Sequence, residues 1–373
     1  MENDSILDKV IATAKEEELS SFNLASVLQE MLLTLPERER DILSLRYGIF
    51  HPQKSTLEFI GNKYNITRER VRQIEGWGVK KLKQLLQERE DFSSLFDVVE
   101  VILRDLGGIT THSNLIAKIK DRVAGDCSDN EIDFVLSKLL KDKLIEVKGG
   151  EVVMAGWCLP DFNMNFLLSM LAEVERILAD KSQLMSDDEL WQAFKQSNFF
   201  QRHDLDLSVD RERFFSLLKM SNRVKANVFG EWGLGNWSLV KPKRMNDKIY
   251  LVLRQAGKPL HFRQIADKIN EVGFDHKKAH PATVHNELIL DTKRYVLVGR
   301  GIYALKEWGY KPGIVSDIIA LVLKEAGRPL TKQEIIDLVK KQRMVKEATI
   351  VLALVNKGKF KKMPDGKYTL ADE

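Results

Sequence analysis

The chain has 373 residues, 44% of them apolar and 30% charged, with a formal net charge of +4; this balance fits three to five small domains better than one large core, and so mild a charge identifies no partner. Its two cysteines, Cys127 and Cys158, lie outside any CxxC spacing, which excludes a framework of several disulfides and fits a reducing cytoplasm. No apolar run reaches the roughly 18 residues of a membrane span, and the acidic start MENDSILDK is unlike a secretory signal.

The charge is segregated along the chain. Met1 to Glu30 carries seven acidic and two basic residues, Lys63 to Lys83 seven basic and two acidic, and Lys324 to Lys367 twelve basic and five acidic. Basic clusters on a nearly neutral chain suit a phosphate-facing surface, although any single cluster also reads as a solvated face. An acidic helix is expected at the N-terminus. Leu24, Val27, Leu28, Met31 and Leu32 fall on one helical face before the break at Leu35-Pro36. Pro36 then opens a helix ending at about Tyr47, with Gly48 as its stop. Ser55 or Thr56 can cap a third helix carrying Leu57, Ile60 and Tyr64; Asn65 breaks it, and Thr67 caps a fourth containing Val71 and Ile74. Two short helices about a four-residue turn make a helix-turn-helix.

Beyond Asp91 a theme repeats. LVLRQAGKPL from Leu251 and LVLKEAGRPL from Leu321 match at seven of ten positions with an offset of 70, and VILRDLGGIT from Val101 is a looser version. A further stretch from Val174 fits in outline. Each copy ends in short β-prone runs about a turn: LIEVKGGEVVMAGWCL, NVFGEWGLGNWSLV, RYVLVGRGIYAL and KFKKMPDGKYTL. Helices followed by a hairpin outline a winged helix. The expected fold class is mainly α, a multi-domain array of helix-turn-helix and winged-helix units with small β-hairpin wings. The expected domains are 1–90, with the helix-turn-helix, and winged-helix units at 91–160, 161–242, 243–311 and 312–373.

The strongest functional segment is NITRERVRQIE, Asn65 to Glu75. With Thr67 as N-cap, Arg68, Glu69, Arg72 and Gln73 occupy one face while Val71 and Ile74 point inward. Arginine can pair with guanine, glutamate can accept from cytosine, and glutamine can pair with adenine or a phosphate. Arg70, Lys80, Lys81 and Lys83 would supply salt-dependent phosphate contacts. On charge alone, a plain surface helix remains an equal alternative.

LPERERDILSLRYG, STLEFIGNKYNITRERVRQIE and KKLKQLL resemble region 4 of bacterial sigma factors of the sigma-70 family, over less than a quarter of the chain. The resemblance implies that Arg68, Glu69, Arg72 and Gln73 face a −35 promoter element in the major groove of double-stranded DNA. It also implies that Arg46, Leu57, Glu58 and Thr67 lie against the backbone or groove edge, and that the domain docks on the RNA polymerase core through the β flap. No segment resembles the sigma parts that bind the polymerase clamp and melt the −10 element. Gly76-Trp77-Gly78 departs from the family, and each glycine weakens a helix by about 1 kcal/mol relative to alanine. The recognition helix is expected to end or bend there.

KPLHFRQIADKINEVGF, HPATVHNELI and RYVLVGRGIYALKEWGY resemble the HARE-type winged helix, a module also present in the delta subunit of bacterial RNA polymerase. The resemblance implies binding of DNA or polymerase. Lys293, Arg294 and Arg300 flank the expected wing, as phosphate contacts or as ordinary exposed residues. His276, His280 and His285 lack metal-ligand partners in a known arrangement, His261 is expected to start a helix, and Trp157, Trp232, Trp237 and Trp308 to pack wings onto helices. No phosphate loop, zinc-protease motif or GxSxG is present, so neither an enzyme, a cofactor nor a metal site is expected. The expected function is a cytoplasmic, nucleoid-associated transcription protein. The alternatives are a polymerase-associated interaction protein whose winged helices bind protein, or the specificity module of a DNA-modifying system.

Overall fold

The computed structural model describes residues 21–202, 209–355 and 358–371. The acidic segment expected as an N-terminal helix lies largely outside them. The described chain is mainly helical, with small antiparallel sheets of two or three strands, as the repeats and turns imply. It forms two compact units, one running to Ser182 and including Asp188–Lys225, the other comprising Gln183–Asp187 and Ala226–Glu373.

In the first unit, Asn23 caps α1 (Leu24–Leu33), which buries Leu24, Leu28, Met31 and Leu32 as its periodicity requires. Helix α2 (Glu37–Tyr47) carries Glu37 and Glu39 at its positive end and stops at Gly48, whose φ of 69° suits a residue without Cβ. Thr56 caps α3 (Leu57–Tyr64) by accepting from the Phe59 amide, and Asn65 ends it in the left-handed region. Thr67 then caps α4.

Helix α4 (Arg68–Glu88) is continuous through Gly76-Trp77-Gly78, so the expected end or bend does not occur. Gly78 faces α2 so closely that a Cβ there would stand 2.6 Å from Leu43 Cδ1, whereas one on Gly76 would meet nothing within 4 Å. Contact with α2 compensates what Gly78 loses in helix propensity. Gly78→Val should therefore overpack the α2–α4 contact and cost about 1–3 kcal/mol. Gly76→Ala should instead stabilise by about 1 kcal/mol. Urea unfolding of the two variants checks both signs.

Helix α5 (Glu90–Asp105), strand β1 (Ile109–Thr111), helices α6 (His112–Arg122) and α7 (Asp129–Phe134), and strands β2 (Ile145–Val147) and β3 (Gly156–Cys158) form a winged helix whose sheet has the order β1-β3-β2. One hydrophobic cluster runs from Leu24 to Leu159, so the helices before and after residue 91 share a core. The Tyr47 and Phe134 rings lie 4.7 Å apart across it. The Phe50 amide donates to Glu131 Oε1 at 3.1 Å, and Lys54 pairs with Asp133 at 2.6 Å. Helices α8 (Met164–Lys181), α9 (Asp187–Lys195), α10 (Asn198–Arg202) and α11 (Arg211–Leu218) follow, with Phe194 and Phe214 rings 4.5 Å apart. Strands β4 (Val224–Ala226) and β5 (Trp232–Leu234), the latter counted with the second unit, occupy the expected wing segment.

In the second unit, α12 (Met245–Ala256), β6 (Leu260–His261), α13 (Phe262–Val272), α14 (Pro281–Leu290), β7 (Tyr295–Gly299) and β8 (Ile302–Leu305) make a winged helix with sheet order β6-β8-β7. Helices α15 (Val315–Ala326), α16 (Lys332–Gln342) and α17 (Glu347–Leu354) with β9 (Phe360–Lys362) and β10 (Tyr368–Leu370) make another. The 70-residue repeat has a physical basis. Gly257 and Gly327 end α12 and α15 with φ of 61° and 62°, and Leu260, Leu330, Ile265 and Ile335 are all buried.

Candidate nucleic-acid interface

Helix α4 is held from behind by a small apolar cluster of Ile42, Ile60 and Val71, with Leu45, Leu57 and Ile74 packed against it. At its start Thr67 Oγ1 accepts from the Arg70 amide at 3.1 Å. Arg68, Glu69, Arg72 and Gln73 are exposed while Val71 is buried and Ile74 half-buried, the division expected from the sequence. Glu69 and Arg72 form a forked pair, Nε to Oε2 at 2.9 Å and Nη2 to Oε1 at 2.7 Å. That hydrogen bonding holds the Glu69 carboxyl below its usual range and raises the Arg72 guanidinium. Both side chains are more than half exposed, so the pair is screened by water and cheap to open. Arg70 Nη1 donates to Gln73 Oε1 at 3.2 Å, and Arg68 has no ion-pair partner among the described residues. Lys80, eleven residues beyond Glu69 and thus three turns along the same face, is exposed.

Lys81 and Lys83, expected at phosphates, are engaged inside the protein. Lys81 Nζ donates to the Thr34 carbonyl at 3.1 Å and lies 5.3 Å from the Trp77 ring centroid, and Lys83 pairs with Asp142. Arg46 is likewise structural in part. Its Nη1 donates to the Ser55 carbonyl at 3.2 Å and its Nε approaches Glu75 at 3.5 Å, tying the loop before α3 to α4. Leu57 is half-buried and Glu58 exposed in the first turn of α3.

Sequence reasoning missed Glu75. It accepts from the Tyr47 hydroxyl and pairs with Arg46, so α2 grips α4 at a polar node one turn behind Arg72. Burial, then the Glu75 carboxylate, push the Tyr47 phenol upward, which keeps it protonated and donating. The available signal was the spacing of Glu75 from Val71 and Gly78, which puts it on the inner face of the helix.

Around the second unit's wing, Arg294 is not free for a ligand. Its Nη1 donates at 3.0 Å to both Asn246 Oδ1 and Asp247 Oδ1, the latter on a carboxylate only 4% exposed. Lys293 and Arg300 remain exposed. His261 caps α13, its Nδ1 accepting from the Arg263 amide at 3.3 Å, and the His285 ring stacks on Phe262 at 4.5 Å. Trp157 and Trp232 are buried, with indole N–H groups donating to His112 Nδ1 and Asp187 Oδ1. Cys127 and Cys158 are buried, and burial pushes both thiols up, away from the reactive thiolate. Among the described residues no helix is long and apolar enough to cross a membrane.

Residues 31–84, which hold α2, α3 and most of α4, match the family model described as Sigma-70, region 4. The chain carries a sigma-70 region 4 domain. The RNA polymerase sigma factor SigA of Microcystis aeruginosa is 48% identical over 68 residues, 18% of this chain and 16% of that protein. SigA of Synechocystis sp. is 48% identical over 68 residues, with the same shares of each chain, and SigA of Lactococcus lactis subsp. cremoris is 42% identical over 60 residues, 16% of each. The match thus spans about a sixth of the sigma factors' length. Residues 245–308 match a second family model, HARE-HTH, a helix-turn-helix domain described from ASXL proteins and restriction endonucleases among others. The region 4 domain contains every residue from Arg46 to Lys83 singled out above, and the HARE-HTH domain contains the Arg294 anchor.

Proposed function

We propose that this chain is a sigma-factor-like DNA-binding transcription protein, without catalytic chemistry of its own, that reads a −35-like promoter element and associates with bacterial RNA polymerase. The observation carrying the reading is the first two turns of α4. They present Arg68, Glu69, Arg72 and Gln73 to solvent inside a sigma-70 region 4 domain, on a helix fixed by Val71, Gly78 and Glu75. In the major groove, Arg68 and Arg72 offer bidentate donors to guanine and Gln73 can pair with adenine. Glu69, released from Arg72, accepts from cytosine. The Thr67 hydroxyl, Arg70 and Lys80 meet phosphates; Arg46, Leu57 and Glu58 lie at the groove edge. The polymerase contact is assigned to the core enzyme and, within it, the β flap; the compartment is the bacterial cytoplasm, at the nucleoid.

Fluorescence anisotropy with a −35-like duplex and a scrambled one tests the reading. The variant combining Arg68→Ala with Gln73→Ala should lose preference for the promoter duplex by about 1–3 kcal/mol per lost base contact. Unchanged affinity and unchanged preference would sink it.

A further inference from the structure

The last winged helix holds an excess of positive charge that its own acids do not neutralise. Asp317 accepts from the Ile314 amide at 2.9 Å and pairs with Lys359, also at 2.9 Å. Glu334 accepts from the Thr331 amide at 2.7 Å and pairs with Arg328 at 2.8 Å. Glu347 is paired with Lys340, and Asp365 with Lys367. Of the remaining acids among the described residues, Asp337 accepts from Gln333 at 3.0 Å, and Glu325 lies in the last turn of α15. Lys332, Lys341, Lys346, Lys361 and Lys362 are exposed and make no ion pair among the described residues.

These lysines flank the third helix of the unit. Lys346 is the N-cap of α17, and Lys332 is near enough to help Lys340 hold the Glu347 carboxyl down. At the other end, Lys361 and Lys362 line an open cleft of 630 Å³ with Leu354 and Val355. Eight helical residues span about 12 Å, close to the width of a DNA major groove. The exposed face of α17 between the two groups is Ala348, Thr349 and Leu352, which holds no long side-chain donor for base edges. The neighbouring HARE-HTH wing is less available: Arg294 is committed to Asp247, and the amide of Met344 donates to the Val298 carbonyl on β7 at 2.9 Å.

We propose that the C-terminal winged helix is a second, sequence-independent surface for duplex DNA, in which Lys332, Lys341 and Lys346 at one end of α17 and Lys361 and Lys362 at the other neutralise backbone phosphates. It goes beyond the promoter-reading role, which draws only on residues before 90. With the two surfaces on one chain, the region 4 helix selects a site and the C-terminal unit adds salt-dependent affinity at any flanking sequence.

The test is a salt titration of the full chain on a short random-sequence duplex, followed by anisotropy. Changing all five lysines to alanine should weaken binding at least tenfold at low salt. It should also lower the slope of log K against log salt by about 0.9 for each lysine that meets a phosphate. Changing the five to arginine should keep both. Alanine at Lys258, Lys268 and Lys278, exposed on the HARE-HTH domain, should leave the slope nearly unchanged. Arg68→Ala with Gln73→Ala should lower promoter preference yet leave the five-lysine effect intact, which separates this surface from the region 4 reading. An unchanged slope in the five-lysine variant, an equal loss in the Lys258, Lys268 and Lys278 variant, or loss of polymerase capture with DNA binding intact would each overturn the assignment.

Discussion

Truncating Phe134 to alanine is expected to destabilise the region 4 helices as well as the winged helix that contains it, by about 3–5 kcal/mol. Phe134 is 1% exposed and its ring lies 4.7 Å from that of Tyr47 on α2. Tyr47 in turn holds Glu75 on α4. The cavity therefore opens at one end of a chain of contacts whose other end is the helix proposed to read DNA. Because the hydrophobic cluster is continuous from Leu24 to Leu159, the two modules should unfold in one transition. Hydrogen exchange reads this directly: Phe134→Ala should speed exchange of amides in α4, more than forty residues away in sequence. Protection of α4 left at the wild-type level would show that the modules are energetically separate, whatever their contact.

Promoter-duplex affinity should fall with it, for a reason distinct from loss of base contacts. Helix α4 buries few side chains in its first two turns, where Arg68, Glu69, Arg72 and Gln73 must stay outside. Its placement thus depends on Val71, Glu75 and Gly78. Phe134→Ala should reduce affinity for promoter and scrambled duplexes alike, whereas loss of Arg68 and Gln73 should change their ratio.

The sequence was most informative where the physics is local. Thr56, Thr67, Gly48 and Asn65 mark helix ends through capping and left-handed geometry that a single residue dictates. The wings followed from turn residues between short β-prone runs, and the repeat from Gly257 and Gly327 doing one job twice. The inner and outer faces of α4 followed from the helical period. Features set by distant partners were not legible. Gly78 reads as a helix breaker until Leu43 is placed against it. Lys81 and Lys83 read as phosphate ligands until Thr34 and Asp142 are brought beside them, and Arg294 reads equally as a phosphate contact or a plain exposed wing residue until Asp247 is placed against it. Glu75 reads as one more charge on a charged helix until Tyr47 reaches it from α2.

Arg343 is the most consequential of these long-range residues in the second unit. It is 5% exposed, in the connection between α16 and α17, and its two terminal nitrogens donate to the Leu297 carbonyl on β7 and to the Gly313 carbonyl in the linker. The next residue, Met344, donates its amide to Val298. The guanidinium thus fastens the HARE-HTH wing, the linker and the last winged helix together. Burial pulls its pKa down and Asp317 opposes this, but an arginine stays charged throughout the physiological range. Arg343→Ala removes two hydrogen bonds to a charged group, each worth about 1.5–3 kcal/mol, less the cost of burying that charge. A net loss of about 2–4 kcal/mol is expected, with both carbonyls left without their donor. Arg343→Lys should recover little, since one ammonium cannot span two acceptors that the planar fork reaches together. Limited proteolysis between Trp308 and Ile314, with hydrogen exchange on β7, provides the readout: both should rise sharply in Arg343→Ala and nearly as much in Arg343→Lys. Wild-type cleavage rates in both variants would mean that backbone pairing of Met344 with Val298 holds the two winged helices without the arginine.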